Sequence, residues 1–377
     1  MKIIVAPNAF KGSLTAFAAA DNIEKGIKRV FPRATIIKLP MADGGDGTME
    51  VLAAATGGSI KKLKVTGPLG KKVDSGYVAG KTAVIEMAAA AGLRLLAKRE
   101  LDPMRATTFG VGELIKDALK SGCKKIVIGI GGSATNEGGS GMCLALGFRL
   151  VKKNNMLIGP GGNGLLELDR IENPEHTEKF KNLDITIASD VTNILLGRSG
   201  ASRMFGPQKG ATPEMVLKLE TALANYARVI KRDLGVDVNK LKGGGAAGGI
   251  GAGLYAFLGA KMNSGINIVI ENSGLEKELK KADLVFTGEG QIDDQSLYGK
   301  APIGVARRAK KYGIPVICIA GSIGKVTKKT YEAGITGIIS LCKQPMTLEY
   351  AMKNSKALIA DAAENAARIF RANTFYK

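Results

Sequence analysis

Short apolar runs alternate with amphipathic stretches at both ends of the chain. Lys2–Ala6 reads as a strand. After the loop Pro7–Ser13, apolar positions Leu14, Phe17, Ile23, Ile27 and Val30 recur at helical spacing until Pro32 ends the run. Thr35–Leu39 reads as a second strand, followed by the loop Met41–Gly47 and a helix through Ala55. The pattern returns near the C-terminus, with strands at Leu284–Thr287, Pro315–Ala320 and Ile335–Leu341 and helices at Gly304–Tyr312 and Thr327–Ala333. A long closing helix is predicted over Leu348–Arg371. Short apolar runs alternating with helices predict an α/β fold whose parallel sheet is covered on both faces.

Two strands from the start and three from the end suffice for one doubly wound, mainly parallel sheet of flavodoxin or Rossmann type. Residues 1–58 and 282–377 would then form a discontinuous domain, interrupted by a large inserted second α/β domain at 59–281. The insert opens with strand signals at Ile60–Val65, Val73–Val78 and Thr82–Glu86. It continues with strands at Lys125–Ile130 and Ile185–Ala188 and helices at Glu113–Ser121 and Glu214–Leu234.

A length of 377 residues suits two domains, and 45% hydrophobic with 23% charged residues is an ordinary globular balance. No apolar run approaches the roughly 18–20 residues that span a bilayer, and Met1–Ala6 lacks the features of a signal peptide, so a cytoplasmic, non-membrane protein is expected. Cys123, Cys143, Cys318 and Cys342 are widely spaced without a C-x-x-C pair, which predicts free thiols. The single histidine, His176, sits in a polar stretch, so histidine-based acid–base chemistry is not expected. A net charge of +20 first suggests nucleic acid. The lysines are scattered, however, and 5% aromatics with no Trp leave little for base stacking. The charge is better read as a field favouring anionic small ligands.

In open α/β sheets, ligands bind beyond the carboxyl ends of the strands. Those ends here carry Asn8, Lys11 and Ser13, then Asp43 and Asp46, then Glu289 and Asp293, with Gly321-Ser322 and Lys343-Gln344 after the last two strands. Each loop alone is ordinary turn chemistry, but together they gather lysine, carboxylates, hydroxyls and glycines, the inventory of phosphoryl transfer. In the insert, Gly129–Gly139 follows a strand and contains Gly131, Gly132, Ser133, Thr135 and Asn136, a candidate phosphate loop ahead of a helix. Gly129, Gly131 and Ala134 fit a dinucleotide fingerprint narrowly, but Arg149–Asn155 offers no acid for a ribose. A Walker A loop is absent as well, since Ser75 stands where Gly80-Lys81-Thr82 would require the leading glycine. Asp190 lies just beyond a strand, and Arg198 and Lys209 are candidate partners for a substrate carboxylate. Gly243–Gly253 reads as close backbone packing, with a phosphate cradle as the other reading.

The ordered stretches A-P-N-A-F-K-G-S-L (6–14), A-D-G-G-D-G-T (42–48), T-A-V-I-E-M-A-A-A-A-G-L (82–93), G-I-G-G-S-A-T-N-E-G-G (129–139), S-D-V-T-N (189–193), F-G-P-Q-K-G-A-T-P (205–213), G-A-A-G-G (245–249), T-G-E-G-Q-I-D (287–293) and G-K-A-P-I-G-V-A (299–306) span nearly the whole chain. Together they resemble the bacterial glycerate kinase family, the type first known from glycerate and glucarate catabolism. The resemblance implies Mg²⁺-dependent transfer of the ATP γ-phosphoryl group to D-glycerate, usually giving 2-phosphoglycerate, on a two-domain fold with a cleft. Its motifs point to Lys11, Asp190 and Glu289 as catalytic, with Lys11 stabilising phosphoryl charge and Asp190 activating the hydroxyl. They point to Asp43 and Asp293 for Mg²⁺, and to Gly131, Gly132, Ser133, Thr135 and Asn136 for nucleotide phosphates. Asn8, Ser13, Asp43, Arg198 and Lys209 are the expected substrate contacts. The chain has Asn8-Ala9 where the family usually has Asp-Ser, Ser189 for a usual Cys and Ile194 for a usual Pro. A kinase of another small hydroxy acid is the competing enzyme reading. A non-catalytic RNA- or polyanion-binding protein is the other, and it gives no reason for carboxylates to gather at the ligand rim. Product position and a monomeric or homodimeric state stay open at this level.

Overall fold

The structure, a computed structural model, describes residues 1–45, 47–175, 180 and 183–374, with only the backbone described at 298, 373 and 374. Asp46 and His176 lie outside the described residues. The chain forms two compact units, Met1–Asp43 with Ser264–Lys377, and Gly44–Asn263. The divisions fall before the helix Thr48–Thr56 and before Gly265, not at residues 58 and 281. That first helix packs on the strands Lys72–Ala79 and Thr82–Glu86, while the helices Gly265–Ser273 and Leu275–Leu279 pack on Ala301–Lys310.

In the terminal unit, five parallel strands lie in the order Gly337–Ser340, Val316–Ile323, Leu284–Ile292, Lys2–Val5, Thr35–Lys38. Counted along this unit alone, the order is the 2-1-3-4-5 of flavodoxin-like sheets. Ile3, Val5, Leu284, Phe286 and Ile319 share one core with the helices Ala16–Lys28 and Ser355–Thr374. Ile4, Val285 and Cys318 are fully buried too, and strand alternation turns them to the opposite face, where Ala301–Lys310 packs. Gly26 permits the close helix pair, since a Cβ there would lie 2.0 Å from the Ala360 carbonyl oxygen. The closing helix breaks at Asn354 into Leu348–Lys353 and Ser355–Thr374. The Asn354 amide bonds back to the Tyr350 carbonyl, a local competitor of helical bonding.

Gly288–Asp293, read from sequence as a loop, is mostly strand. Leu284–Ile292 continues through it, with Glu289 opposite Ala320 and Gln291 opposite Ser322. The glycines serve strand approach instead of a turn. A Cβ at Gly288 would stand 2.4 Å from the Ile319 oxygen, and one at Gly321 2.4 Å from the Gly290 oxygen.

The second unit holds a six-stranded sheet in the order Lys261–Asn263, Asp184–Ala188, Lys125–Gly129, Thr82–Glu86, Lys72–Ala79, Ser59–Thr66. Its first four strands are parallel and the last two extend it as an antiparallel meander. The long helix Pro213–Leu234 begins where Thr212 accepts from the Met215 N–H at 3.2 Å, with Pro213 in the first turn, and it ends at left-handed Gly235. All four cysteines are free. Among the described residues, no helix is long and apolar enough to cross a membrane.

Candidate functional site

The first strand of the terminal unit, Lys2–Val5, leads by a crossover to one side of the sheet, and Leu284–Ile292 leads to the other. Their adjacent carboxyl ends are therefore a topological switch point, where open α/β sheets bind ligands. Asn8 and Glu289 stand there. The Asn8 N–H bonds to the Gly288 oxygen at 2.8 Å, and the Thr287 hydroxyl donates to the Ala6 oxygen at 2.8 Å, tying the two ends together. The Asn8 amide also donates to Asp43 Oδ2 at 3.1 Å, so Asn8 braces this carboxylate from the position where an acid is usual in the resembled motif.

Glu289 is buried, 5% exposed, and accepts from the Ser296 hydroxyl at 3.1 Å with the Lys300 ammonium 3.5 Å away. Burial pushes its carboxyl up to about 7; Lys300 pulls against that and Asp43 adds to it. Asp293 caps the short turn Asp294–Tyr298, accepting from the Ser296 N–H at 3.1 Å and from Gln291 Nε2 at 2.9 Å. Its Oδ1 lies 4.0 Å from Lys300. Lys11 is exposed, and a Cβ at Gly290 would lie 3.5 Å from its backbone nitrogen, which places it beside this rim. Ser13 points elsewhere, its hydroxyl donating to the Met352 oxygen at 3.2 Å. Lys343 is paired with Asp361.

Asp43, Glu289 and Asp293 offer hard carboxylate oxygens, the donor type Mg²⁺ takes. Among the described residues, no three His, Cys, Asp or Glu side chains form a ready metal cage. Mg²⁺ held here would complete its shell with phosphate and water.

In the second unit the glycine loop follows Lys125–Gly129 and divides in two. Gly131 and Gly132 form an exposed tip, with Gly132 in the left-handed region at φ 72°. Ser133, Thr135 and Asn136, expected as phosphate contacts, are turned inward and at most 4% exposed. The following helix begins only at Ser140, because Gly138 and Gly139 are left-handed, and the Gly132 carbonyl of the tip accepts from the Leu93 N–H at 2.9 Å. Lys209, expected as a partner for the substrate carboxylate, is instead enclosed within this unit. It is 1% exposed, and its ammonium donates to Ser133 Oγ at 2.8 Å and to the Thr135 oxygen at 2.7 Å. Burial draws that ammonium down to about 7. Glu137, fully buried, accepts from the Thr108 N–H and hydroxyl, both at 2.6 Å, from the Gly141 N–H at 3.1 Å and from the Gly161 N–H at 3.0 Å. Burial raises its carboxyl, and those donors oppose the rise. Asp190 is half-buried beyond Asp184–Ala188, and Arg198 is exposed. Gly243–Gly253 serves packing: Cβ atoms at Gly248 and Gly253 would meet the Thr135 and Gly138 oxygens at 2.0 and 2.2 Å.

A family model described as the glycerate kinase family matches residues 3–371. The chain belongs to the glycerate kinase family. It is 46% identical over 368 residues to the glycerate kinase of Halalkalibacterium halodurans, covering 97% of each chain. It is 48% identical over 370 residues to the glycerate 2-kinase of Escherichia coli, again covering 97% of each. A crystal structure of the protein assigned as glycerate kinase 2 in Salmonella typhimurium LT2 superposes with a TM-score of 0.89 at 48% identity, covering 99% of both chains. As a glycerate kinase family member the protein is an ATP-dependent kinase with a small-molecule substrate.

Sequence reasoning about this family member missed Lys300 and Ser296, the two groups holding Glu289. The signal was present in G-K-A-P, where Lys300 precedes Ala301-Pro302 and therefore falls at a helix N-cap, facing back towards the strand. One consequence concerns stability. Between about pH 4.5 and about pH 7 the folded, ligand-free protein keeps a proton on Glu289 that the unfolded chain has released. The stability from this group is present at low pH and lost as pH rises through about 7. Glu289→Gln is expected to gain on the wild type by up to about 3 kcal/mol between pH 5 and pH 8 in denaturant titrations. A difference independent of pH would show that the carboxyl titrates normally.

Proposed function

We propose that the protein transfers the ATP γ-phosphoryl group to the 2-hydroxyl of D-glycerate, with Mg²⁺, in the cytoplasm. The observation that carries this reading is Glu289, a buried carboxyl titrating near 7 at the switch point of a parallel sheet, beside Asp43. A proton acceptor matched to neutral pH suits removal of a hydroxyl proton during phosphoryl transfer. In this reading the substrate O–H proton passes to Glu289, while Ser296 and Lys300 hold the carboxylate in place. Lys11 offsets charge on the transferring group, and the exposed N–H groups of Gly131 and Gly132 receive nucleotide phosphate oxygens. Arg198, an exposed cation, is the partner for the substrate carboxylate, and Asp190 is the second catalytic carboxylate. Asp43 and Asp293 are the residues to hold Mg²⁺, which when bound neutralises phosphate oxygens. The 2-position follows the E. coli relative, whose name is glycerate 2-kinase.

The test is turnover of D-glycerate with ATP and Mg²⁺, the product identified by ³¹P NMR. The 2-phosphoglycerate resonance is expected. 3-Phosphoglycerate would overturn the position of transfer, and turnover only with another hydroxy acid would overturn the substrate.

A further inference from the structure

Lysine is almost never fully buried unless paired with a charge, yet both hydrogen-bond partners of Lys209 are neutral, a serine hydroxyl and a backbone carbonyl. Enclosing an ammonium in this way is unfavourable, and a methionine would fill a similar volume without that cost. The turn that carries Lys209 is itself fixed. Pro207–Lys209 is a single 3-10 turn closed by left-handed Gly210, and a Cβ at Gly210 would stand 2.4 Å from the Leu101 oxygen. The preceding helix, Ala201–Phe205, holds the same loop a second time, with Ser202 Oγ accepting from Asn136 Nδ2 at 2.9 Å.

The loop is not self-sufficient. Thr135 Oγ1 and Asn136 Oδ1 are buried without a hydrogen-bond partner among the described residues. Its far end is anchored by Glu137, its near end by the strand Lys125–Gly129, and the backbone of Gly132 and Ala134 bonds to Leu93 and Ala91, while segment 201–209 holds the Ser133 hydroxyl, the Thr135 carbonyl and the Asn136 amide.

We infer that Lys209 is a positioning residue for the reaction, acting through Ser133 and Thr135 to fix the shape in which the Gly131-Gly132 tip is presented to ATP phosphates. The inference rests on the reading of that tip as a phosphate site. Displacing such a tip by about 1 Å is enough to change catalysis about a hundredfold, so a buried tether beneath it has a direct kinetic consequence.

The experiment compares wild type, Lys209→Met and Ser133→Ala as full-length proteins, by hydrogen exchange of the amides of 131–136 and by steady-state kinetics. In ligand-free Lys209→Met these amides are expected to exchange about tenfold faster, with the strands of the same unit unchanged. KM for ATP is expected to rise about tenfold while KM for D-glycerate stays within about twofold. Ser133→Ala, which leaves the bond to Thr135, gives a smaller change in the same direction and decides the matter should Lys209→Met fail to fold. Unchanged exchange over 131–136, or a rise spread evenly over the unit, overturns the inference, as does a KM for ATP that does not move. The reading beneath it fails separately: if MgATP gives wild-type 129–139 no protection, the tip is not the phosphate site, whatever the ligand-free exchange shows.

Discussion

Glu289→Gln is expected to lower kcat for D-glycerate phosphorylation by about 10²–10⁴-fold, with KM for ATP changed by less than about threefold. The substitution preserves size and an oxygen that can accept from Ser296, so the switch point keeps its shape while losing its proton acceptor. In the wild type, kcat/KM should rise with pH through about 7, the value to which burial raises this carboxyl. That limb should disappear in Glu289→Gln. Asp190→Asn supplies the contrast, since Asp190 is the other carboxylate to which the family motif assigns activation of the hydroxyl. Should Glu289→Gln keep kcat/KM within about threefold and retain the pH limb while Asp190→Asn abolishes turnover, Asp190 is the base and Glu289 a support.

The second large effect is on stability. Gly248→Ala is expected to cost about 3–5 kcal/mol, because the new Cβ would stand 2.0 Å from the Thr135 oxygen on a backbone already at φ 74°. No flexible side chain can yield there. The obstacle is backbone, and the Gly248 carbonyl also holds the Gly138 N–H at 2.9 Å. Ala247, left-handed at φ 52° without being glycine, is the control. Ala247→Gly relieves strain but loosens the unfolded chain, so a change within about 1 kcal/mol is expected. The measurement is the thermal unfolding of each variant, read by probes in the second unit, because a chain of two compact units need not unfold in one step. Gly248→Ala within about 1 kcal/mol of wild type would mean that the loop 135–138 does not lie against this segment.

Much of the scaffold was legible because its signal is local. Thr82–Glu86 and the helix ending at Leu234 come directly from a short apolar run and from helical spacing. The rim of Asn8, Asp43 and Glu289 was legible for the same reason, since parallel topology places whatever follows each strand at one edge. What escaped depended on partners distant in sequence. Gly288, Gly290 and Gly321 look like turn residues until the neighbouring strand, only just accommodated, is known. Lys209 looks like any solvated lysine because its partners, Ser133 and Thr135, lie more than seventy positions away. Ala246–Leu258, dense in glycine, gave no helical pattern because close backbone approach, not an apolar stripe, fixes it.

The strand Lys2–Val5 lies inside its sheet, yet one neighbour, Leu284–Ile292, is far from it in sequence, Thr287 bonding to Ala6 across 281 positions. At synthesis rates of roughly 5–20 residues per second, about 15–60 s pass between emergence of the two strands. Gly44–Asn263 is continuous in sequence and can close during that interval. Ile3, Ile4 and Val5, all 0% exposed in the finished fold, wait with one side of their strand unpaired. Until Leu284–Ile292 arrives, the open edge of Lys2–Val5 is a place where the nascent chain can pair wrongly.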